Sequence, residues 1–158
     1  MTNEKKIIFG IIGLTVAIIV SAVFFISGDP KTTLPKEEIV ATSGLHWHPK
    51  LEIYIDGKKQ DIPANVGLTG QVHQKIHTHD EDAKDGVVHM EMQGVVTKDD
   101  TKLGNFLRIW GKEFSSTQIF DKKNDGEKKV VMIVNGKENN EYENYLMKDG
   151  DKIEIRFE

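Results

Sequence analysis

From Ile7 to Ile26 the sequence runs twenty residues without a charge, and nearly every position is Ile, Val, Leu, Phe, Ala or Gly. At about 1.5 Å per residue such a helix spans about 30 Å, the thickness of a bilayer's hydrocarbon core. Thr15 and Ser21 can bond back to their own helix turn and do not break the pattern. A soluble helix of this length would show a polar face. The run therefore predicts a single transmembrane helix within an N-terminal membrane anchor, residues 1–28. Lys5 and Lys6 precede it and Asp29 follows. Positive charge stays inside, so the N-terminus is expected in the cytoplasm and the C-terminal domain outside it. A cleaved signal peptide is the alternative, but Phe24-Phe25-Ile26-Ser27-Gly28 is a poor cleavage site.

The rest of the chain changes character. Residues 29–43 mix Pro, Thr, Lys and Glu and read as a linker. Residues 44–158 carry the patterns of one extracytoplasmic α+β domain, a small mixed β-sheet with one or two packed helices. Leu51-Glu52-Ile53-Tyr54-Ile55 alternates into the hairpin signal Asp56-Gly57, with a return strand at Gln60-Asp61-Ile62. Val87 to Met92 is a further extended stretch. Leu103, Phe106, Leu107 and Trp110 fall at helical spacing, and Gly111 is placed to end the helix. Gln118 to Phe120, Val130 to Val134 (turning at Asn135-Gly136) and Lys152 to Phe157 return to strand patterns, while 121–129 reads as an exposed loop.

Charge and composition exclude several chemistries. The whole chain carries −4, and Glu4, Lys5 and Lys6 contribute +1 within residues 1–28, so the remainder stands at −5. A nucleic-acid partner calls for clustered Lys and Arg and is not expected. There is no cysteine, which removes disulfides, thiol nucleophiles, cysteine zinc fingers and iron–sulfur clusters. No nucleophile elbow, phosphate loop or dinucleotide fingerprint is present.

All six histidines lie between residues 46 and 89. His46-Trp47-His48, His77-Thr78-His79 and His89-Met90-Glu91 each place two donors at i and i+2, which face the same way in an extended strand. Three such pairs on neighbouring strands would present up to six donors to one volume. Asp80 follows His79 and adds a carboxylate, and His73 lies four residues before His77. Imidazole suits copper, zinc, nickel and iron(II), whereas magnesium and calcium prefer oxygen. Metal ligands are therefore expected at His46, His48, His77, His79, His89, Glu91 and Asp80, with copper or zinc as the ion. Met90 and Met92 alternate with His89 and should face the core. Asp80-Glu81-Asp82 and Asp99-Asp100 read otherwise as solvated loop charges.

Two resemblances follow from these residues. The strand at Val130, the Asn135-Gly136-Lys137 turn, Asp149-Gly150-Asp151 and the final strand resemble the closing half of ubiquitin-like sulfur-carrier β-grasp folds. Such carriers end in Gly-Gly, whereas this sequence ends Arg156-Phe157-Glu158, so their chemistry is not expected. Gly44-Leu45-His46-Trp47-His48-Pro49, Ile62-Pro63-Ala64, Ile76-His77-Thr78-His79-Asp80, Gly86-Val87-Val88-His89-Met90-Glu91 and Leu103-Gly104 to Trp110-Gly111-Lys112 together resemble a largely uncharacterised family of membrane-anchored or secreted bacterial and archaeal proteins. The resemblance spans about residues 44–157 and implies the same histidines and Glu91 as functional positions. It also implies, in some relatives, a cysteine shortly before the His-Thr-His-Asp element, which this chain lacks; His73 is a candidate substitute.

Three functions compete. The first is an anchored domain that holds copper or zinc. The second is a metal-dependent enzyme in which Asp80 or Glu91 acts as base toward a metal-bound water. The third is an interaction domain within a membrane complex, with a partner protein and with histidines held by hydrogen bonds.

Overall fold

A computed structural model describes residues 34–158. The expected anchor over residues 1–28 lies outside the described residues. Among the described residues no helix is long and apolar enough to cross a membrane. Pro35–Glu158 form one compact unit.

The unit is a mixed α+β domain, mostly sheet. Its strands in chain order are β1 (Ile39–Ala41), β2 (Leu45–Trp47), β3 (Lys50–Ile55), β4 (Lys58–Gln60), β5 (Leu68–Thr69), β6 (Val72–His73), β7 (Ile76–His77), β8 (His89–Met92), β9 (Val96–Thr97), β10 (Phe114–Ser115), β11 (Gln118–Ile119), β12 (Lys122–Lys123), β13 (Val130–Val134), β14 (Lys137–Glu138) and β15 (Lys152–Phe157). The α-helix of the domain, α1 (Leu103–Ile109), lies between β9 and β10.

The main sheet has five strands in the order β14-β13-β15-β3-β4. Its central pair, β15 and β3, is parallel, and the other pairs are antiparallel. Period-two alternation sends Leu51 and Ile53 of β3, Val130, Met132 and Val134 of β13, and Ile153, Ile155 and Phe157 of β15 into the core. Helix α1 adds Leu103, Phe106 and Leu107 to the same core. Lys152, Glu154 and Arg156 alternate outward, as in a sheet with one buried face.

Both expected hairpins form. Asp56 and Gly57 take φ of 52° and 73°, and Asn135 and Gly136 take 52° and 80°. Two successive positive φ values make the two-residue turn whose twist matches the strands it joins. Pairing therefore starts at once, with Ile55 opposite Lys58. The return strand accordingly covers Lys58–Gln60, earlier than the expected Gln60 to Ile62. Helix α1 closes where Trp110 caps it and Gly111 turns to φ 73°.

Three stretches depart from their sequence patterns. Lys36–Glu38 form a turn of 3-10 helix and β1 pairs with β9, so part of the stretch read as linker is ordered against the domain. Lys122–Lys123, within the expected loop 121–129, pair with Gln118–Ile119. His48 and His79 lie just beyond β2 and β7, so only His89 and Glu91 have both members of the pair on one strand.

Candidate metal centre

A second sheet carries the histidines. Its three strands run in the order β2-β8-β7, all antiparallel. The register sets His46 opposite Glu91 and His77 opposite His89. Directly opposed residues share a face, so these four side chains rise from one side of the sheet. Trp47 and Ile76 both oppose Met90 on the other side. Met90 is fully buried and Met92 nearly so. The two thioethers thus point away from the imidazoles and serve the core, as the alternation predicts.

His48 and His79 complete the group from the segments that leave β2 and β7. The backbone N–H of His48 donates to Asp149 Oδ1 at 2.8 Å, and its ring Nδ1 lies 3.9 Å from the same oxygen. Pro49 follows, and its carbonyl accepts from Val88 N–H at 2.9 Å while Lys50 N–H reaches Asp151 O at 2.7 Å. These bonds seat the His-Trp-His-Pro element between the two sheets. Thr78 performs the same task for the second pair. It is buried, its hydroxyl donates to Pro63 O at 2.8 Å and accepts from Val66 N–H at 3.0 Å. A buried hydroxyl with both roles satisfied pins its neighbours His77 and His79 against the 63–66 loop.

Six donor side chains resolve into two groups of three. His46, His48 and His89 form one, and His77, His79 and Glu91 the other; within each group the ligand atoms lie within 4.8 Å of one another. The groups adjoin. His46 Nε2 is 3.1 Å from Glu91 Oε1, the rings of His79 and His89 are 4.5 Å apart between centroids, and those of His77 and His89 stack at 5.7 Å.

Hydrogen bonds decide which nitrogens are free. His77 Nδ1 sits 2.9 Å from the Gln74 carbonyl, which accepts its proton and leaves the Nε2 lone pair outward. Without an ion, that Nε2 accepts a hydrogen bond from His79 Nε2–H at 3.1 Å. Ligands sharing an ion through bonds of about 2.0–2.1 Å are spaced about 2.9–3.4 Å apart at square to tetrahedral angles, so the pair is set as two ligands of one ion would be. Burial pushes the His77 imidazole pKa below its ordinary value, with the His79 and His89 rings adding to the effect, and the Gln74 carbonyl and Glu91 opposing it. A neutral imidazole is the form that binds metal.

Asp82 is the contact of the histidine cluster that sequence patterning misses. Its Oδ2 lies 2.9 Å from His89 Nε2, so Nε2–H donates to the carboxylate and Nδ1 of His89 keeps the lone pair. A carboxylate behind an imidazole in this way orients the ring and raises its basicity toward a metal. The other oxygen, Oδ1, is buried and has no hydrogen-bond partner. Asp80, the carboxylate expected as a ligand, instead accepts from Asn65 Nδ2 at 2.8 Å and belongs to neither group of three. His73 also stands outside both groups, its ring 6.0 Å from that of His77.

No protein-family model, curated protein or solved structure matches the chain.

Proposed function

We propose that the domain is a transition-metal-binding module for copper or zinc, held outside the cytoplasm by the apolar segment 7–26. One observation carries this reading: five imidazoles and one carboxylate converge in two groups of three, each with its ligand atoms within 4.8 Å. Imidazole and carboxylate without thiolate suit copper(II) and zinc, and a carboxylate on His89 together with a carbonyl on His77 is the support that ligating histidines ordinarily have. The motif resemblance to membrane-anchored and secreted proteins supports the same placement, and the strand order supports a β-grasp-like account of the main sheet. In that account β3 and β4 are the opening hairpin, α1 the crossing helix, β13 and β14 the second hairpin, and β15 the last strand lying parallel to the first.

A metal-dependent enzyme is the second reading. A cleft of about 530 Å³ reaches His46, His77 and Glu91, room for a small substrate beside an ion with an open position.

The test is elemental analysis of the full chain, purified in detergent and equilibrated with zinc or copper(II) at neutral pH. Stoichiometric metal in the wild type, lowered in His77→Ala and in His89→Ala and lost when the two are combined, is the expected result. A wild-type protein that holds no metal overturns both readings. Metal with a hydrolysable or redox substrate turned over favours the enzyme.

A further inference from the structure

We infer that the histidine layer holds two metal ions side by side, with Glu91 as the ligand that joins them. The inference rests on the metal-binding reading above and adds the number of ions and their coupling.

The donor set is the first argument. Six side chains divide into two groups of three that share no residue. An ion with bonds of about 2.1 Å gathers its ligands within about 4.2 Å of one another, and each group, with its ligand atoms within 4.8 Å, needs only a small side-chain closure to reach that size. Three protein ligands with a free position is a complete set for zinc or copper in an open site. A single ion would use one group and leave three more donors idle beside it.

Contact between the groups is the second argument. Glu91 belongs to the group of His77 and His79, yet its Oε1 lies 3.1 Å from His46 Nε2, a ligand of the other group. The strand register produces this, because Glu91 on the central strand β8 stands opposite His46 on the edge strand β2. One carboxylate has two oxygens, and one oxygen to each ion spans the roughly 3.5–4 Å found between paired ions. His89 and His77, one from each group, stack in parallel at 5.7 Å and are tilted by 17°, as rings directed at neighbouring ions would be.

Counter-charge is the third. Two dications among imidazoles demand anions close by. Asp82 backs His89 at 2.9 Å and Asp149 approaches the His48 ring at 3.9 Å. Both support the group of His46, His48 and His89, while Glu91 serves the other and bridges. The buried, unpartnered Asp82 Oδ1 is a cost in a neutral pocket; beside an ion it is countercharge.

The two sites differ in exposure. His77 is 1% exposed, whereas the His46 side chain is 61% exposed. The ion of the His46 group should therefore leave first when a chelator is added.

Copper(II) titration of the full chain in detergent, followed by electron paramagnetic resonance, tests this. Two ions per chain are expected, with a half-field signal and a loss of the spectrum of isolated copper(II). In the double variant His46→Ala/His48→Ala one ion should remain, with an isolated spectrum. Glu91→Gln should bind one ion and show no half-field signal. One ion per chain in the wild type, or two with the spectra of independent ions, overturns the two-ion centre while the metal-binding reading stands. No bound ion overturns both. Loss of both ions in the His46→Ala/His48→Ala variant, with circular dichroism unchanged, shows the sites are not separable and also overturns the inference.

Discussion

Asp82 combines two demands in one side chain: Oδ2 fixes the His89 ring at 2.9 Å, and Oδ1 is buried with no partner. Asp82→Asn keeps the shape and removes the charge. In the metal-bound protein it should weaken affinity by about 10–100-fold, the usual effect of losing a carboxylate behind a ligating histidine. In the metal-free protein it should be mildly destabilising, because the amide loses the charge-assisted bond to His89 and buries an NH2 without an acceptor at the Oδ1 position. Competition against a chromogenic chelator measures the first effect and urea denaturation the second; an affinity within twofold of wild type would sink the assigned role. Spacing cannot expose this residue. Asp82 sits across the 3-10 turn Ala83–Asp85 from His89, and the separation of seven residues runs through a turn into a strand, so no single helix or strand period links the two. The pairs at i and i+2 were legible because a strand's alternation puts them on one face, although His48 and His79 reach the cluster from beyond the strand ends. For Asp80 adjacency to His79 was misleading, since its carboxylate turns to Asn65.

Helix α1 was legible in its apolar spacing and in its closing Gly111. Its start was not: the sequence offers Asp and Thr as caps before it, whereas Lys102 takes the N-cap position with no side-chain bond. Its second residue carries information that a propensity scale reverses. A Cβ on Gly104 would meet the backbone oxygen of Glu143 at 2.9 Å and the Glu143 Cβ at 3.0 Å. The glycine is there so that the helix can lie against the 3-10 turn Tyr142–Asn144. Alanine in a helix interior is favoured by about 1 kcal/mol, but overpacking against a backbone atom costs about 1–3 kcal/mol. Gly104→Ala should therefore lower the urea midpoint slightly, by a net 0 to about 2 kcal/mol, whereas a surface glycine replaced by alanine in a helix would raise it. A clear rise would show that Glu143 yields freely. Strands such as β5, β6 and β12 were not legible, since two-residue ladders carry no periodicity to detect.

At the scale of the molecule, Asp151 ties the second hairpin, the 3-10 turn and β15 together. It is buried, with Tyr145 Oη donating at 2.7 Å, Lys148 N–H at 2.8 Å and Asn135 Nδ2 at 2.9 Å. Burial, reinforced by Asp151, raises the Tyr145 pKa well above that of a free phenol. The folded state therefore keeps this proton while an unfolded chain loses it above about pH 10. The stability it contributes is complete below that pH and is lost as pH rises toward the folded-state value. Alkaline unfolding followed by circular dichroism should show a decline beginning near pH 10 that is flatter in Tyr145→Phe. Equal slopes would remove Tyr145 as the cause.

Local pattern alone determined the two turns, the helix, the strands β3, β13 and β15 and the inward face of β3 and β15, because period and turn chemistry act over a few residues. It also singled out the histidine pairs. Which strand lies beside which was settled by packing. The parallel seating of β15 on β3, and the β2-β8-β7 register that brings His46 to Glu91 and His77 to His89, join segments far apart in the chain. Alternation shows which face a strand buries but is indifferent to its neighbour, and a one-residue slip of its strand would send His46, His77 or His89 to the core side. The burial of Trp47, Ile76 and Met90 on the opposite face holds the register, and with it the site.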